Sequence, residues 1–466
     1  MSQSALSIHA HFYQPPREDP LTGEIPVEKG SAPFPNWNER IHAECYLPNA
    51  ALGNFARVSF NIGPTLFSWL EAHHPDTGRQ ITAQDRANYQ RYGVGNAMAQ
   101  AYNHSILPLS GYQDKLTQVY WGLVEFEHRF GHKAQGLWLP ETAVDYETLE
   151  ILSQLNVEYT ILAPWQAERQ DIDPTEPYIV QLSQGRKIIA FFYQSDLSGR
   201  VSFDAGATIN ADQFTVHLIK PHFNPAKSRR GEPQILMIAS DGELYGHHKN
   251  LRDQFLAHLV DGASEAAGLQ TTFPALWLRS HAPRQFTRIR ENTSWSCHHG
   301  VMRWSGACAC TPGIAEWKEP LRQAFDHLAY ELDGLYLEGV RPLVGDPWRL
   351  RQRYIHVMLG EMGLPELISA QTVNTLTREQ VERTTLLLEA QRERQRMFTS
   401  CGWFFEDFDR IEPRNCVAYA AQAVRLAHKA TGVDLAPGAI KDLHHVVSPY
   451  SGLNAAQVFD SYLERA

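Results

Sequence analysis

Ile-Leu-Met-Ile-Ala-Ser-Asp-Gly-Glu-Leu-Tyr-Gly-His-His, residues 235–248, is an apolar run that stops at Asp241 and opens at once into ionisable side chains. A short continuous apolar run bounded by turn residues reads as a strand buried on both faces. Glu243, Tyr245, His247 and His248 crowd the loop that follows it. An α/β barrel gathers its chemistry in this way, at the carboxyl ends of parallel strands. Gly-Leu-Trp-Leu-Pro-Glu-Thr-Ala, residues 136–143, has the same form and carries Glu141 at its end. Two carboxylates at the ends of two strands point to acid–base or nucleophilic chemistry.

Outward from these two segments, short apolar runs alternate with helical patterns over residues 1–310, as βα units do. The runs predict strands at Leu6–His9, Val58–Ile62, Gly136–Leu139, Tyr159–Leu162, Lys187–Tyr193 and Gln234–Ala239, with Ala275–Leu278 as a seventh. Polar or aromatic residues stand at or just past their ends: His9 and His11, Asn61, Glu141, Pro164 and Trp165, Asp196, and Asp241. That is the top face of a barrel, although an open doubly wound sheet also places ligands at strand ends. No Gly-x-Gly-x-x-Gly or phosphate-loop motif follows any run, which counts against a nucleotide. Beyond Pro312 the spacing changes to three and four, with Trp317, Leu321, Phe325, Leu328, Leu332 and Leu335 on one helical face. Asp346-Pro347 reads as a cap followed by the first helical turn, and Gln380–Met397 and Arg414–Lys429 continue the helical pattern. The expected division is therefore 1–310 for an α/β domain and 311–466 for an α-helical domain. Arg169–Pro177 is an acidic surface loop.

Hydrophobic residues at 43% and charged residues at 20% place the chain among folded globular proteins. A formal net charge of −10 argues against nucleic acid or an anionic membrane as partner and suits a neutral substrate. The N-terminus lacks the basic and apolar regions of a secretory signal, and no stretch approaches a membrane span, so a cytoplasmic location is expected. Six cysteines in so long a chain do not make a disulfide framework.

Glu141 follows Pro140, which ends strand pairing and leaves the carboxylate at the strand terminus as a nucleophile, a base or a surface acid of a βα loop. Trp138 is core or pocket floor. Asp241, Glu243, Tyr245, His247 and His248 form an unusual density of polar groups, for which the plainer explanation is an N-cap by Asp241 with solvated neighbours. His9 and His11 lie on one side of an extended strand, with Gln14-Pro-Pro close behind. They could bind a metal, or substrate hydroxyls. Asn103 and His104 are a site loop or a cap. Trp295 precedes Cys297, His298, His299, Cys308 and Cys310, which could bind zinc. Their spacing matches no common finger, and buried free cysteine is the commoner explanation.

Taken together, His9–Pro15, Trp138–Glu141 and Asp241–His247 resemble glycoside hydrolase family 57, whose members include α-amylases, glucanotransferases and branching enzymes. Phe398–Ile411 is similar to the helical C-terminal extension of one branch of that family. The resemblance implies an incomplete seven-stranded (β/α) barrel followed by a C-terminal α-helical domain, and a retaining reaction on α-linked glucans without a cofactor or metal. It makes Glu141 the nucleophile and Asp241 the acid/base. A retaining pair stands about 5–5.5 Å apart, and Asp241 must keep its proton near neutrality. Substrate contacts are expected from His9, His11, Gln14, His104, Trp138, Trp165, Asp196, Glu243, Tyr245, His247, His248, Trp295 and His299, with an oligo- or polysaccharide as partner. The family has His-Gln-Pro, whereas Phe12 and Tyr13 here separate His11 from Gln14; His11 is taken as the counterpart. The alternative is a metal-dependent carbohydrate hydrolase of α-mannosidase or deacetylase type, using His9, His11 and Asp241.

Overall fold

The computed structural model describes residues 4–372 and 376–465. Among the described residues ten strands are present: β1 (Ser4–Phe12), β2 (Ser59–Ile62), β3 (Ala99–Gln100), β4 (Leu137–Trp138), β5 (Tyr159–Leu162), β6 (Tyr178–Gln181), β7 (Lys187–Phe192), β8 (Gln234–Asp241), β9 (Gln270–Thr271) and β10 (Gln285–Thr287). β1 pairs in parallel with β2, β8 and β9, β3 with β4, and β5 with β7. Parallel bridges at Phe60–Ala97 and Gly136–Tyr159 carry the run across the gaps. The order is thus β7-β5-β4-β3-β2-β1-β8, every step parallel. β6 joins β7 antiparallel and brings β10 with it.

Parallel strands buried on both faces need apolar residues at every position, and β8 is buried from Gln234 to Ser240. One face of β8, through Ile235, Met237 and Ala239, packs with Tyr159, Ile161 and Ala163 from β5 and its end, and with Phe191, Tyr193 and Trp138. The strand expected at Ala275–Leu278 is instead part of the helix Pro274–Ser280. Pro274 sits in its first turn, where the missing N–H costs nothing, and a short apolar run alone does not separate helix from strand. Pairing register sets the site: His11 on β1 stands level with Asn61 on β2 and with Asp241 on β8.

The chain forms two compact units. The first comprises residues 1–14, 27–101 and 126–295, and the second 15–26, 102–125 and 296–466. Residues 15–26 and 102–125, inside the range expected for the α/β domain, lie with the second unit, and the first unit ends at Trp295. The reason is packing: Trp121 belongs to a core with Tyr336, Val340, Leu350, Leu387 and Leu388. This unit is mostly helical, with long helices at Lys318–Val340, Arg378–Arg396 and Ile411–Thr431. Lys318–Val340 buries Leu321, Phe325, Leu328 and Leu332 at helical spacing, and Asp346 caps Pro347–Arg353 by accepting the Arg349 N–H at 3.0 Å. An ion cluster lies inside it. Asp114 accepts from Arg394 at 2.6 Å and Arg351 at 2.9 Å, and Asp333 from Arg394 at 2.8 Å, with the Arg351 side chain fully buried. Among the described residues no helix is long and apolar enough to cross a membrane.

Candidate active site

β1, β2 and β4 build the floor. His9 and His11, two apart on an extended strand, project to the same side, and both rings stack on Trp138, at 4.6 and 5.1 Å between centroids. His9 Nδ1 meets Ser59 Oγ at 2.9 Å and its Nε2 meets Asn61 Oδ1 at 3.2 Å. Asn61 Nδ2 donates to Gln100 Oε1 at 2.7 Å and stands 3.0 Å from His11 Nδ1. One hydrogen assignment serves all these pairs: His9 carries its proton on Nε2, the Asn61 amide donates to His11 Nδ1, and His11 keeps its proton on Nε2. Burial, and the neighbouring His11, push His9 down to about 3; burial pushes His11 down to about 4. Both imidazoles are therefore neutral near pH 7. With both nitrogens of His9 engaged, a metal held by His9, His11 and Asp241 has no support in this arrangement.

Glu141 sits in the tight turn Pro140–Thr142 that ends β4, with left-handed backbone at Glu141 (φ 57) and Thr142 (φ 48). Such conformations cost non-glycine residues energy and persist where surrounding contacts impose them. Here Trp295 donates twice to Glu141, from its indole Nε1 to Oε2 at 2.9 Å and from its backbone N–H to the carbonyl at 3.0 Å. Trp295 also packs edge-on against Trp138, Tyr193 and His11.

Asp241 ends β8 and makes no side-chain cap to the short turn Gly242–Leu244, so the N-cap explanation fails. Its carboxyl is pushed up to about 8 by burial, then by Glu243 and by Glu141. The residue nonetheless keeps accessible surface. Asp241 is exposed, but two like charges raise it whatever its contact with water, so the upward direction stands. Glu243 is buried and receives Tyr46 Oη at 2.8 Å and the Tyr13 N–H at 3.1 Å on Oε1. Burial pushes it up to about 7 against these hydrogen bonds and that of Gln14. Glu243 and Gln14 thus tie the end of β1 to the turn after β8.

The other predicted residues divide. Trp165 is 40% exposed, with its indole N–H on the Ser294 carbonyl at 3.0 Å, an aromatic face available at a strand end. Tyr245 is buried beneath the site, its carbonyl holding Asn49 Nδ2 at 2.7 Å. His247 pairs with Glu44 at 2.5 Å, and His248 is exposed. Asp196 lies in the first turn of the helix Ser195–Phe203 and pairs with Arg200 at 3.0 Å. His104 and His299 belong to the second unit: His104 Nδ1 bonds Ser400 Oγ at 2.6 Å, and His299 stands among cysteines. Tyr46, Asn61, Gln100 and Tyr193 were absent from the predicted contacts. Asn61, already noted at the end of a predicted strand, and Tyr193, which directly follows β7, could have been found; Tyr46 and Gln100 are single residues with no local signal.

An α/β chain that brings carboxylates, neutral imidazoles and tryptophans together at the ends of parallel strands is built like an enzyme of glycosidic bonds. The chain belongs to glycosyl hydrolase family 57: the family model of that description matches residues 40–290, more than half of the sequence. Residues 315–466 match a model described as a domain of unknown function (DUF3536). Among solved structures, the chain resembles an exo-type maltose-forming amylase from Pyrococcus sp. ST04 at 14% identity and TM-score 0.78, covering 98% of this chain and 88% of that one. It resembles a branching enzyme from Pyrococcus horikoshii at 14% identity and TM-score 0.63, covering 99% and 94%. An α-amylase from Thermotoga maritima is similar at 14% identity and TM-score 0.59, covering 98% and 99%. None of the curated proteins compared with the chain matches it.

Proposed function

We propose that the chain is a retaining hydrolase or transglycosylase of α-linked glucans, with Glu141 as nucleophile and Asp241 as acid/base on an incomplete seven-stranded barrel. The observation that carries the reading is the state of Asp241: a carboxyl raised to about 8, with Glu141 among the charges that raise it. A proton donor near neutrality beside a second carboxylate is what glycoside cleavage with retention requires. The family match and the likeness to amylases and a branching enzyme support an α-glucan. The parallel run β7-β5-β4-β3-β2-β1-β8 supports the barrel.

In the first step Asp241 gives its proton to the glycosidic oxygen as a Glu141 oxygen bonds the anomeric carbon and the aglycone leaves. In the second, the Asp241 carboxylate takes a proton from water or a sugar hydroxyl, which displaces Glu141. The Trp295 indole N–H on Oε2 orients the nucleophile. Neutral His11, its ring oriented by Asn61, serves as a hydroxyl donor; Trp165 offers a stacking face.

Glu141→Ala and Asp241→Ala test the roles with azide and an aryl α-maltooligosaccharide, whose phenolate leaves without a proton. Azide should yield a β-glycosyl azide from the Glu141 variant, by direct displacement, and an α-glycosyl azide from the Asp241 variant, by intercepting the glycosyl-enzyme. Full activity without azide in either variant would sink the assignment. Release of reducing ends, set against redistribution of chain lengths, separates hydrolysis from transfer.

A further inference from the structure

We propose that Cys297, His299, Cys308 and Cys310 hold a structural zinc ion. In sequence their spacing matches no common finger, but folding brings one ligand atom from each within 4.8 Å of all the others. Cys297 Sγ lies 3.5 Å from Cys308 Sγ, and His299 Nδ1 lies 3.2 Å from Cys308 Sγ and 3.4 Å from Cys310 Sγ. A tetrahedral zinc with ordinary Zn–S and Zn–N bonds requires ligand separations of about 3.3–3.8 Å. Three of the six separations thus lie at or just below that range and the rest within 4.8 Å, so small side-chain adjustments would bring the four atoms to the corners of such a site.

Two arms supply the corners, Cys297-x-His299 and Cys308-x-Cys310. Gly300, at φ 80, turns the chain sharply after His299 and donates its N–H to the Cys297 carbonyl at 3.2 Å. The His298 N–H points at Cys310 Sγ from 3.3 Å, the kind of backbone contact that supports a thiolate. Three thiolates on a dication leave one negative charge. Lys318 stands beside them, its Nζ held by Thr311 Oγ1 at 2.8 Å and the Arg303 carbonyl at 3.3 Å, and interacts with Cys308 and Cys297. Soft thiolates with one imidazole select zinc, and four protein ligands close its coordination, so the ion holds structure and does no chemistry.

The fold gives it something to hold. Between Thr287 and Lys318 the only regular element is the short turn Met302–Trp304, although Trp304 is fully buried. So long a stretch seldom stays ordered without a clamp. Neither matching family model reaches the four ligands: one ends at residue 290 and the other begins at 315.

The test uses the full chain, purified without a histidine tag in reducing, chelator-free buffer. Elemental analysis and native mass spectrometry should find one zinc per chain. Stripping with a strong chelator should lower the melting temperature and expose Cys297, Cys308 and Cys310 to alkylation, and added zinc should reverse both. Cys308→Ser with Cys310→Ser should abolish zinc binding; should that variant not fold, the alkylation pattern of the unmodified chain decides. A chain that neither carries nor takes up zinc, a mass lower by two hydrogens from a Cys297–Cys308 disulfide, or zinc retained by the double variant would overturn the proposal.

Discussion

Asp241 is where pH should act on this chain. Its protonated form is the donor, so kcat/KM should fall as pH rises through about 8, the value to which burial and its two acidic neighbours push it. Glu243→Gln removes one of those charges and should move that limb to lower pH. Asp241→Asn should cost about 10²–10⁴ in rate and erase the limb. A pH profile of the three proteins on one maltooligosaccharide checks this; a limb unmoved in Glu243→Gln and still present in Asp241→Asn would assign it elsewhere. Glu141, Asp241 and Glu243 were legible because carboxylates crowded behind apolar strands are rare in sequence. His104, expected as a substrate contact, bonds Ser400 in the second unit, a partner that an Asn-His pair in a polar loop does not announce. The cysteine cluster was visible in sequence as a candidate for zinc, but which of its residues meet was not, because the set forms only once two arms of an irregular loop come together.

At the scale of elements, the helices of the second unit meet over buried ions. Burial opposes the ionisation of Asp114, but Arg394 and Arg351 outweigh it and bring its carboxyl down to about 2. A carboxylate depressed in the folded state contributes stability that is complete above its unfolded value near about 4 and is lost as pH falls through the folded one. Asp114→Ala takes a carboxylate from two buried guanidinium groups, leaving them Asp333, and should cost up to about 3–5 kcal/mol at neutral pH. Its melting temperature should also lose much of the dependence on pH between neutrality and about 2 that the parent shows. Thermal melts across that range measure both, and parallel curves would show that the cluster does not couple to protons. The helix Lys318–Val340 was legible from its long periodic pattern, and β5 from its short apolar run. β4 lies within the strand expected at Gly136–Leu139, whereas β3, two residues long, holds its place by pairing across the fold, and the helix at Pro274–Ser280 looked like a strand because its apolar run is too short to show a period.

For the whole molecule, an early α/β region and a late helical one were visible in the change of hydrophobic spacing. The interleaving was not, because nothing local in residues 102–125 tells which core Trp121 will join. A fragment ending at residue 310 keeps that segment and loses the residues from Tyr336 to Leu388 that cover Trp121. It should be poorly soluble and bind a hydrophobic dye, whereas the full chain should not; a soluble, cooperatively melting fragment would contradict this packing. The same interleaving sets a schedule in the cell. Trp121 leaves the ribosome long before Leu388, and at ordinary synthesis rates the interval is about 15–50 seconds. Throughout it an apolar helix face waits in a nascent chain with its partners not yet made, which makes residues 102–125 the stretch where a chaperone would be most needed.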